Sequence, residues 1–454
     1  MKHPLRAGHR LRLLEGGAAL FAAMAQAIDR AQHLVHVETY IFEFAHDALQ
    51  VAQALERAAQ RGVTVRLVTD AFGTPKPPAE WRARLEAAGV QWRVYRPLGP
   101  IGLLLPRNWR RLHRKLCIVD GVLGFCGGIN LIDDRDDVLL GRLSAPRLDY
   151  ALQVSGPLLD DMQEAMEQLW WRLQALSSAR QHAFRAAWQA LRSGLPQPEP
   201  WPWWEHPVHP EQPQLEQTVQ GAAAAFLLRD NVRNRHDIER AYLAAIEQAR
   251  TEIVIANAYF IPGRRLRRAL VRAAQRGVRV RLLLHGKYER FLQYHAARPV
   301  YHQLLAAGIE IFEYAPSSLH AKVAVVDQRW ATVGSTNLDP VSLLLTREAN
   351  VVTRDAAFAS LLRERLADLM AHAGERVDAV RLANRPWQQR LLDRVAFGLM
   401  RALLYLGGYL SHPGRSYGRL WNRSGREAYH SFMACIGVLL FNADCGSWWL
   451  YKVT

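Results

Sequence analysis

Residues 113–130 read HRKLCIVDGVLGFCGGIN, and residues 320–337 read HAKVAVVDQRWATVGSTN. Both segments carry His, Lys, Asp and Asn at the same offsets. These residues are His113, Lys115, Asp120 and Asn130 in the first segment and His320, Lys322, Asp327 and Asn337 in the second. One such match would be a moderate signal, but two matches with identical offsets are very hard to obtain by chance. The repetition indicates a duplicated unit that carries one residue set for one kind of chemistry.

The duplication extends well beyond these two segments, because three upstream stretches also recur in the same order. They are AAQRGVTVRL (58–67) with AAQRGVRVRL (273–282), LEAAGVQWRVY (85–95) with LLAAGIEIFEY (304–314), and LVHVETYIF (34–42) with IVIANAYFI (253–261). The strands predicted from β-branched and aromatic content are Val35–Phe42, Val63–Thr69 and Val90–Tyr95, and the helices between them are Asp47–Gln60 and Ala79–Ala88. Alternating strands and helices predict an α/β fold in each half, with helices covering the sheet.

The chain is long enough for two domains, since its 454 residues are 50% hydrophobic. Residues 193–214 read SGLPQPEPWPWWEHPVHPEQPQ, and their seven prolines exclude a continuous helix or a central strand. We therefore predict a first domain over 1–192, a linker over 193–214, a second domain over 215–385 and an amphipathic C-terminal region over 386–454.

The net charge is +16 at pH 7, and the pI is about 10.1. Such an excess of basic residues indicates an anionic partner, which could be nucleic acid, anionic lipid or a phosphate-bearing substrate. The four cysteines show no metal-ligand spacing, and buried reduced thiols are the simpler interpretation of Cys117 and Cys126. The N-terminus lacks the apolar stretch of a signal peptide, and no uninterrupted run of about 20 apolar residues occurs. A cytoplasmic or peripheral membrane protein is expected.

The doubled HxKxxxxD pattern, followed by GGIN or GSTN, resembles the phospholipase D superfamily, whose members carry two such motifs. The resemblance implies two similar α/β sandwich domains related by a pseudo-twofold axis, with the active site at their interface. It also implies phosphodiester chemistry through a phosphohistidine intermediate. One of His113 and His320 attacks phosphorus while the other protonates the leaving oxygen. The resemblance favours His113 as the nucleophile, and neither a metal nor another cofactor is expected.

The lysine that follows each histidine by two residues shares its face of a strand. Lys115 and Lys322 are therefore expected to point into the site and to bind phosphoryl oxygens. The resemblance implies that Asn130 and Asn337 add side-chain donors to the phosphate. Together these four residues would surround the reacting phosphate with positive charge and N–H groups.

Each histidine also needs a partner that fixes its tautomer and stabilises the imidazolium. The superfamily places a carboxylate after the Asn position, and Asp149 and Glu348 stand at equivalent places here, each just before a predicted strand. We assign Asp149 to His113 and Glu348 to His320.

The remaining motif positions receive a simpler interpretation. Asp120 and Asp327 are counted with the catalytic residues of the motif, although the resemblance implies that they usually hold strand-end turns. Gly127–Gly128 and Gly334–Ser335 are small, which allows the backbone to approach the phosphate.

The motif defines the reaction but not the substrate, and three features favour a lipid. The segment Arg96–Leu112 is an insertion relative to the second half and combines an apolar tip, Ile101–Leu105, with Trp109 and arginines. This composition favours a loop that enters an anionic bilayer, and an ordinary packed loop is the alternative. The segment Pro386–Leu410 has apolar residues near helical spacing with arginines between them, so it could lie in the membrane interface or pack on the second domain.

The third feature is a resemblance to bacterial cardiolipin synthases, based on the two-motif layout, the NAYFIP stretch and the length. It covers about residues 11–410 and is strongest for the short type without N-terminal transmembrane helices. It implies that phosphatidylglycerol is the lipid partner, that the phosphatidyl group of one molecule passes to a second, and that the protein is peripheral on the cytoplasmic face of the cell membrane. A phospholipid hydrolase or a nuclease of the same superfamily is the alternative. Nucleic acid is not expected, because no convincing set of aromatic stacking residues lies among the basic ones.

Overall fold

The structure is a computed structural model, and it describes residues 4–74, 77–97, 106–137, 141–180, 218–230, 234–286, 291–339, 342–343 and 345–410. Three segments that the sequence singled out lie outside these residues. They are the apolar tip Ile101–Leu105, the linker 193–214 and the tail 411–454.

The described strands fall into two similar series. The first half contains β1 (Arg6–Glu15), β2 (Leu34–Thr39), β3 (Thr64–Asp70), β4 (Gln91–Tyr95), β5 (Lys115–Val119), β6 (Leu123–Gly127), β7 (Asp136–Asp137), β8 (Gly141–Arg142) and β9 (Tyr150–Ser155). The second half contains β10 (Thr218–Arg229), β11 (Glu252–Asn257), β12 (Arg279–His285), β13 (Glu310–Tyr314), β14 (Lys322–Val326), β15 (Trp330–Gly334), β16 (Glu348–Thr353) and β17 (Gly374–Arg376).

The order of the main sheet repeats about its centre. It runs β17-β13-β12-β11-β14-β15-β16-β10-β1-β9-β6-β5-β2-β3-β4, and β7 and β8 form a separate hairpin. Apart from β17, every strand on one side therefore has a counterpart at the same distance from the centre on the other side. The central pair is β1 with β10, which are antiparallel, with Arg6 opposite Ala224 and Arg12 opposite Thr218. The two halves are thus related by a pseudo-twofold axis and share one hydrogen-bonded sheet, which confirms the predicted α/β fold and its symmetry.

Helices cover the sheet of each half. They are α1 (Gly16–Arg30), α2 (Leu49–Gln60), α3 (Ala79–Ala87), α4 (Leu158–Arg180), α5 (Asp237–Gln248), α6 (Arg264–Gln275), α7 (Phe291–Ala306), α8 (Ala356–His372), α9 (Ala379–Ala383) and α10 (Trp387–Leu410). Helices α1 to α3 form an outer core with the first half of the sheet, and α5 to α7 form the matching core of the second half. A third core combines strands from both halves with α4 and α8. This shared core fixes the two halves against each other.

Most of the elements predicted from the sequence are present, with small changes at their ends. The helix predicted over Asp47–Gln60 is a 3-10 turn, His46–Ala48, followed by α2, and the other predicted helix ends at Ala87. Gly62 and Gly277, which end the repeated AAQRG segments, both have φ of 87°. Glycine adopts this left-handed conformation without steric cost, so the same turn is built twice.

One predicted correspondence was wrong by one residue. The sequence aligned Leu34 with Ile253, but Val35 pairs with Val119 on β5, and Ile253 pairs with Val326 on β14. Positions 119 and 326 are equivalent in the two motifs, so Val35 is the true counterpart of Ile253. Neighbouring side chains of a strand point to opposite faces, so a shift of one residue exchanges the two faces.

Candidate active site

Two short backbone bridges between the halves position both histidines. At each bridge, the segment before one motif pairs with the segment before β16 or β9 of the other half. The hydrogen bonds run from His113 N to Arg347 O (3.0 Å), from Arg347 N to Arg111 O (2.8 Å), from His320 N to Leu148 O (2.8 Å) and from Leu148 N to Ser318 O (3.0 Å). The same pattern therefore occurs twice, as the pseudo-twofold axis requires.

The bridges place each histidine beside a carboxylate of the opposite half. Nδ1 of His113 lies 2.9 Å from one oxygen of Glu348 and 3.0 Å from the other. Nδ1 of His320 lies 2.6 Å from Oδ2 of Asp149. Both carboxylates are almost completely buried. Since Nδ1 of each ring faces its carboxylate, Nε2 is the nitrogen left for a substrate.

The predicted pairing of Asp149 with His113 and of Glu348 with His320 was wrong, because the pairs are crossed. In the first half, Lys115 lies opposite Gly127, and Gly127 lies opposite Ala151. His113 and Asp149 each lie two residues beyond this row, at the same end of the sheet but with β6 between them. Two strand spacings amount to about 10 Å, too far for a hydrogen bond. The bridge to the other half supplies the nearer partner.

The two carboxylates have different surroundings. Glu348 accepts hydrogen bonds from the hydroxyl groups of Thr346 (2.6 Å) and Ser335. Asp149 accepts from the backbone N–H of Tyr150 at 2.8 Å, and a Cβ at Gly128 would overlap its carboxylate. Ser335 and Gly128 occupy equivalent positions in the two motifs. The second half therefore has a hydroxyl donor to its carboxylate where the first half has a glycine.

Both motif lysines are buried next to their histidines. Nζ of Lys115 donates to the carbonyl of His113 at 2.6 Å, and Nζ of Lys322 donates to the carbonyl of His320. Nζ of Lys322 also lies 2.9 Å from Nδ1 of His320 and 3.8 Å from Asp149. The lysines are 6% and 0% exposed, so the predicted i and i+2 arrangement brings both cations to the site.

The motif asparagines lie close to the same edge and are also buried. Oδ1 of Asn130 accepts from the backbone N–H of Ile41 at 3.3 Å. Oδ1 of Asn337 is buried without a hydrogen-bond partner among the described residues. A phosphate-binding role for both residues stays a prediction.

The small motif residues have a different explanation from the one predicted. A Cβ at Gly127 would overlap Ala151 on β9, and a Cβ at Gly334 would overlap Asn350 on β16. These glycines permit close packing of neighbouring strands. Their small size is therefore explained by strand packing rather than by access for a phosphate.

Asp120 and Asp327 lie at the far ends of the motif strands and hold backbone turns. The Asp120 carboxylate accepts from the N–H groups of residues 32, 33 and 34, each at 2.8 Å. Asp327 accepts in the same way from residues 250, 251 and 252, at 2.8 to 2.9 Å. Each is seven residues from its histidine on a chain that is extended for most of that length, a separation of about 20 Å. Asp120 and Asp327 are therefore too far from the histidines to be catalytic residues, which corrects their inclusion in that group. Their contacts are those of the strand-end role that the resemblance implied.

One aromatic residue at the site was not singled out from the sequence. The ring of Tyr40 lies edge-on to the ring of His113, with 5.1 Å between centroids, and 5.5 Å from Nζ of Lys115. Its position near the end of the predicted strand Val35–Phe42 was the available signal, since that strand corresponds to β2, the neighbour of β5.

Buried cysteines are present as expected. Cys117 and Cys126 are free, and each is 1% exposed. Burial raises the pKa of Cys126 to about 12, so this thiol stays protonated. The other two cysteines lie in the tail, outside the described residues.

A possible metal-ligand group among the described residues lies apart from these pairs. Ligand atoms of His46, Asp133 and Asp136 lie within 4.8 Å of one another. Arg142 pairs with Asp136 at 2.8 Å and with Asp133 at 3.8 Å. An arginine therefore already balances the carboxylates, and we assign no catalytic step to this group.

Burial shifts the protonation of the site toward neutral forms. It lowers the pKa of Lys115 to about 7 and that of Lys322 to about 8. It also lowers the pKa of His113 and lowers that of His320 well below the ordinary value, where the nearby Lys322 adds to the effect. Burial raises the pKa of Asp149 to about 6. Burial also acts to raise the pKa of Glu348, but His113, Lys115 and the hydrogen bond from Ser335 together outweigh it, so the net shift is downward.

These shifts predict a bell-shaped pH profile for kcat/KM. Below pH about 6 Asp149 becomes protonated and ceases to be an anionic partner for His320, so the rate should fall with decreasing pH. Above pH about 7 to 8 Lys115 and Lys322 lose their charge, so the rate should fall again. A bound phosphate anion raises both lysine pKa values, so the alkaline limb of kcat should lie at higher pH than that of kcat/KM. Initial rates across this range test the prediction, and a flat profile would contradict it.

Comparison with known proteins shows the family of the chain. A family model described as "Cardiolipin synthase, PLD-like domain" matches residues 24–135 and 242–370, one segment in each half. The chain belongs to the cardiolipin synthase family. Cardiolipin synthase B of Escherichia coli (strain K12) is 36% identical over 412 residues, which are 90% of this chain and 92% of that protein. The cardiolipin synthase of Geobacillus thermodenitrificans is 28% identical over 398 residues, which are 87% of this chain and 72% of that protein.

Solved structures of other enzymes share the fold of this cardiolipin synthase family member. The phosphatidylserine synthase of Haemophilus influenzae superposes with a TM-score of 0.62 at 13% identity and covers 89% of this chain and 97% of its own. The polyphosphate kinase of Porphyromonas gingivalis superposes with a TM-score of 0.51 at 11% identity and covers 86% of this chain and 53% of its own. At these identities the likeness concerns the fold alone.

Proposed function

We propose that this protein is a phosphatidyltransferase that makes cardiolipin and glycerol from two molecules of phosphatidylglycerol. The observation that carries the proposal is the pair of histidines, each held by a carboxylate from the opposite half and each followed by a buried lysine. Membership of the cardiolipin synthase family supports the choice of this reaction over the others that the same histidines could perform.

In the first step, Nε2 of one histidine attacks the phosphorus of phosphatidylglycerol. A P–N bond forms, the P–O bond to glycerol breaks, and the other histidine gives its proton to the leaving glycerol oxygen. Lys115 and Lys322 stabilise the negative charge on the phosphoryl oxygens. Asn130 and Asn337 add N–H donors.

In the second step, a hydroxyl group of another phosphatidylglycerol attacks the phosphohistidine. The P–N bond breaks, a P–O bond forms, and the histidine that acted as the acid now takes the proton of the attacking hydroxyl. Asp149 and Glu348 orient the two rings and stabilise the imidazolium form in both steps. The bonds broken and formed are of the same type, so no external energy source is required.

The experiment that tests this function uses the purified full chain with phosphatidylglycerol as the sole lipid. Equal amounts of cardiolipin and glycerol should form, as measured by mass spectrometry and an enzymatic glycerol assay. Phosphatidic acid without cardiolipin would instead support a phospholipid hydrolase. Cleavage of single-stranded DNA with no lipid product would support a nuclease.

We further propose that the protein works on the surface of an anionic membrane, on its cytoplasmic face. The helices that the structure describes include none that is both long and apolar enough to span a membrane. On α10, Trp387, Leu391 and Val395 lie on one side of the helix at intervals of four residues and are 65%, 53% and 49% exposed. The exposed Arg390 and Arg394 adjoin this apolar stripe. Such a surface suits contact with anionic lipid.

The opposite side of α10 packs on the second half. Asp393 pairs with His295 at 2.6 Å, and Ala396 and Met400 are buried in the core of that half. The two interpretations of Pro386–Leu410 left open by the sequence are therefore compatible, because one face packs while the stripe remains exposed. The apolar tip Ile101–Leu105, which was also predicted to contact lipid, lies outside the described residues.

Introducing aspartate into the stripe should weaken membrane binding. For Leu391→Asp with Val395→Asp, loss of two exposed apolar side chains that would enter the membrane should reduce partition onto phosphatidylglycerol vesicles by about ten-fold or more. Gln388→Asp with Gln389→Asp, which adds the same charge at exposed polar positions of the same helix, is the matched control. Vesicle sedimentation at low and high salt measures the effect. Equal sedimentation of all three proteins would rule out the stripe as a membrane contact.

A further inference from the structure

The two sides of the site differ in charge, although the backbone around them is the same. The bridge beside His113 is built by Arg111 and Arg347, and the equivalent bridge beside His320 is built by Ser318 and Leu148. Arg96 directly follows β4, where Ala315 follows β13. At these three positions the His113 side of the site carries arginine, whereas the His320 side carries the neutral residues Ser318, Leu148 and Ala315.

Two arginines on the His113 side of the site bind the hydroxyl group of Tyr95. Nε of Arg96 donates to that oxygen at 3.2 Å, and Arg347 bonds to it as well. Arg111 donates to the carbonyl of Arg96 at 3.0 Å. Arg110 adds a further charge, and burial together with the charge of Arg96 lowers its pKa.

Part of the donor capacity of this cluster is unused. Nη1 of Arg111 and Nε of Arg347 are buried and find no hydrogen-bond partner within the part of the chain that the structure describes. Arg111 is 6% exposed, and its nearest carboxylate, Asp70, lies 3.4 Å from Nε. A buried guanidinium group whose N–H donors lack acceptors reduces the stability of the fold, unless a bound anion accepts those hydrogen bonds.

The cluster is held by buried hydrogen bonds and adjoins the reacting groups. Arg229, which is 2% exposed, donates to the carbonyls of Leu343 and Thr346 and so holds the segment that leads to Arg347. Arg347 precedes Glu348, the partner of His113. Asp70, the partner of Arg111, is close enough to Lys115 to act on its pKa. A second anion bound here would lie a short distance from the phosphate held by the two histidines.

We propose that Arg96, Arg111 and Arg347 bind the phosphodiester of the acceptor phosphatidylglycerol, the phosphate that does not react. The inference rests on the proposed function, in which the acceptor carries its own phosphate separated from the attacking hydroxyl by one glycerol unit. Guanidinium groups suit phosphate because their planar N–H pairs match two of its oxygens. Glycerol and water, the competing acceptors, carry no such group. The cluster would therefore select lipid transfer over hydrolysis.

The test compares two labelled acceptors with phosphatidylglycerol as the donor. Glycerophosphoglycerol is the acceptor headgroup without acyl chains, and glycerol lacks the phosphate as well. Wild-type protein should transfer the phosphatidyl group to glycerophosphoglycerol in preference to glycerol. Arg347→Leu introduces the residue found at the equivalent position of the first half, Leu148. In this variant the ratio of kcat/KM for glycerophosphoglycerol to kcat/KM for glycerol should fall by about ten-fold or more, as expected for loss of a charged hydrogen bond.

A second variant and a control keep the result interpretable. Arg111→Ser likewise introduces the residue found at the equivalent position, Ser318, and should also lower the ratio. Arg265→Leu, at an exposed position of α6 in the second half, removes the same charge outside the arginine cluster and should leave the ratio unchanged. Thermal melting reports whether each variant is folded.

The possible failures are distinguishable. If wild-type protein transfers to neither acceptor and makes no cardiolipin, the proposed function falls, and the inference falls with it. If wild-type protein makes cardiolipin but the ratio is the same in Arg347→Leu, in Arg111→Ser and in wild-type protein, only the inference is overturned. Equal loss with both acceptors also overturns it, because the arginines would then support the reaction in general rather than acceptor choice.

Discussion

Replacement of either His113 or His320 by alanine should abolish cardiolipin formation, with kcat lower by about 10⁴-fold or more. In the proposed reaction one ring forms the covalent intermediate and the other transfers the proton, so loss of either ring removes an essential step. Both losses should be similar in size, because the same two groups act in both steps. Initial rates of cardiolipin formation, measured by mass spectrometry, test the prediction.

Two controls separate loss of chemistry from loss of structure. His302→Ala removes an exposed histidine and should leave the rate unchanged. Asp120→Asn alters the same motif at its far end and should lower the thermal midpoint, because the carboxylate holds three backbone N–H groups. Residual activity of more than a few per cent in either active-site histidine variant would contradict the two-histidine mechanism.

The same variants decide which histidine becomes covalently modified. The family resemblance favours His113, whereas the pKa of His320 is lowered further, by burial and by Lys322, and a nucleophile must be neutral. If His113 is the nucleophile, a phosphatidylated protein should be trapped in His320→Ala and absent from His113→Ala. The opposite pattern assigns the attack to His320. Intact-protein mass spectrometry after rapid quenching distinguishes the two.

The second large effect concerns the crossed carboxylates. Asp149→Asn and Glu348→Gln should each lower kcat by about 10² to 10⁴-fold, because the amide cannot stabilise an imidazolium and permits the wrong tautomer. Both substitutions preserve side-chain shape, so the folded structure should be retained. Steady-state rates and thermal midpoints measured together test this prediction.

The crossing itself has a spectroscopic signature. In ¹⁵N-histidine NMR spectra, Asp149→Asn should shift the titration of His320, and Glu348→Gln should shift that of His113. Changes confined to the histidine of the same half would show that the crossed arrangement is incorrect. Full activity in either variant would show that the residue does not orient a histidine.

The sequence was sufficient to predict the fold and most of the site. The repeated offsets identified both histidines and both lysines. The two carboxylates were found through the resemblance to the superfamily, which places a carboxylate after the Asn position. Strand alternation then placed Lys115 and Lys322 beside their histidines, and the structure has them there.

The partner of each histidine could not be obtained in this way. Offsets along one chain cannot distinguish a contact within a half from the same contact made between halves. The difference depends on how the shared core packs and on the intervening strand β6. The role of Gly128 was missed for a related reason, since its neighbour is the carboxylate of Asp149 rather than a ligand.

The crossed pairs give each half the character of a subunit in a symmetric dimer. In such a dimer, any contact from one copy to the other must occur twice, and both copies must change together when a residue is replaced. Covalent fusion of the copies removes that restriction. Here Glu348 already differs from Asp149, and Arg347 from Leu148.

This freedom matters for a reaction whose two substrates are the same molecule. Donor and acceptor cannot be told apart by their composition, so a strictly symmetric catalyst would offer both of them identical binding surfaces. A fused duplicate can assign one flank to each role, because a mutation in one copy leaves the other unaltered. Asymmetry in the protein would then impose an order on two chemically indistinguishable partners.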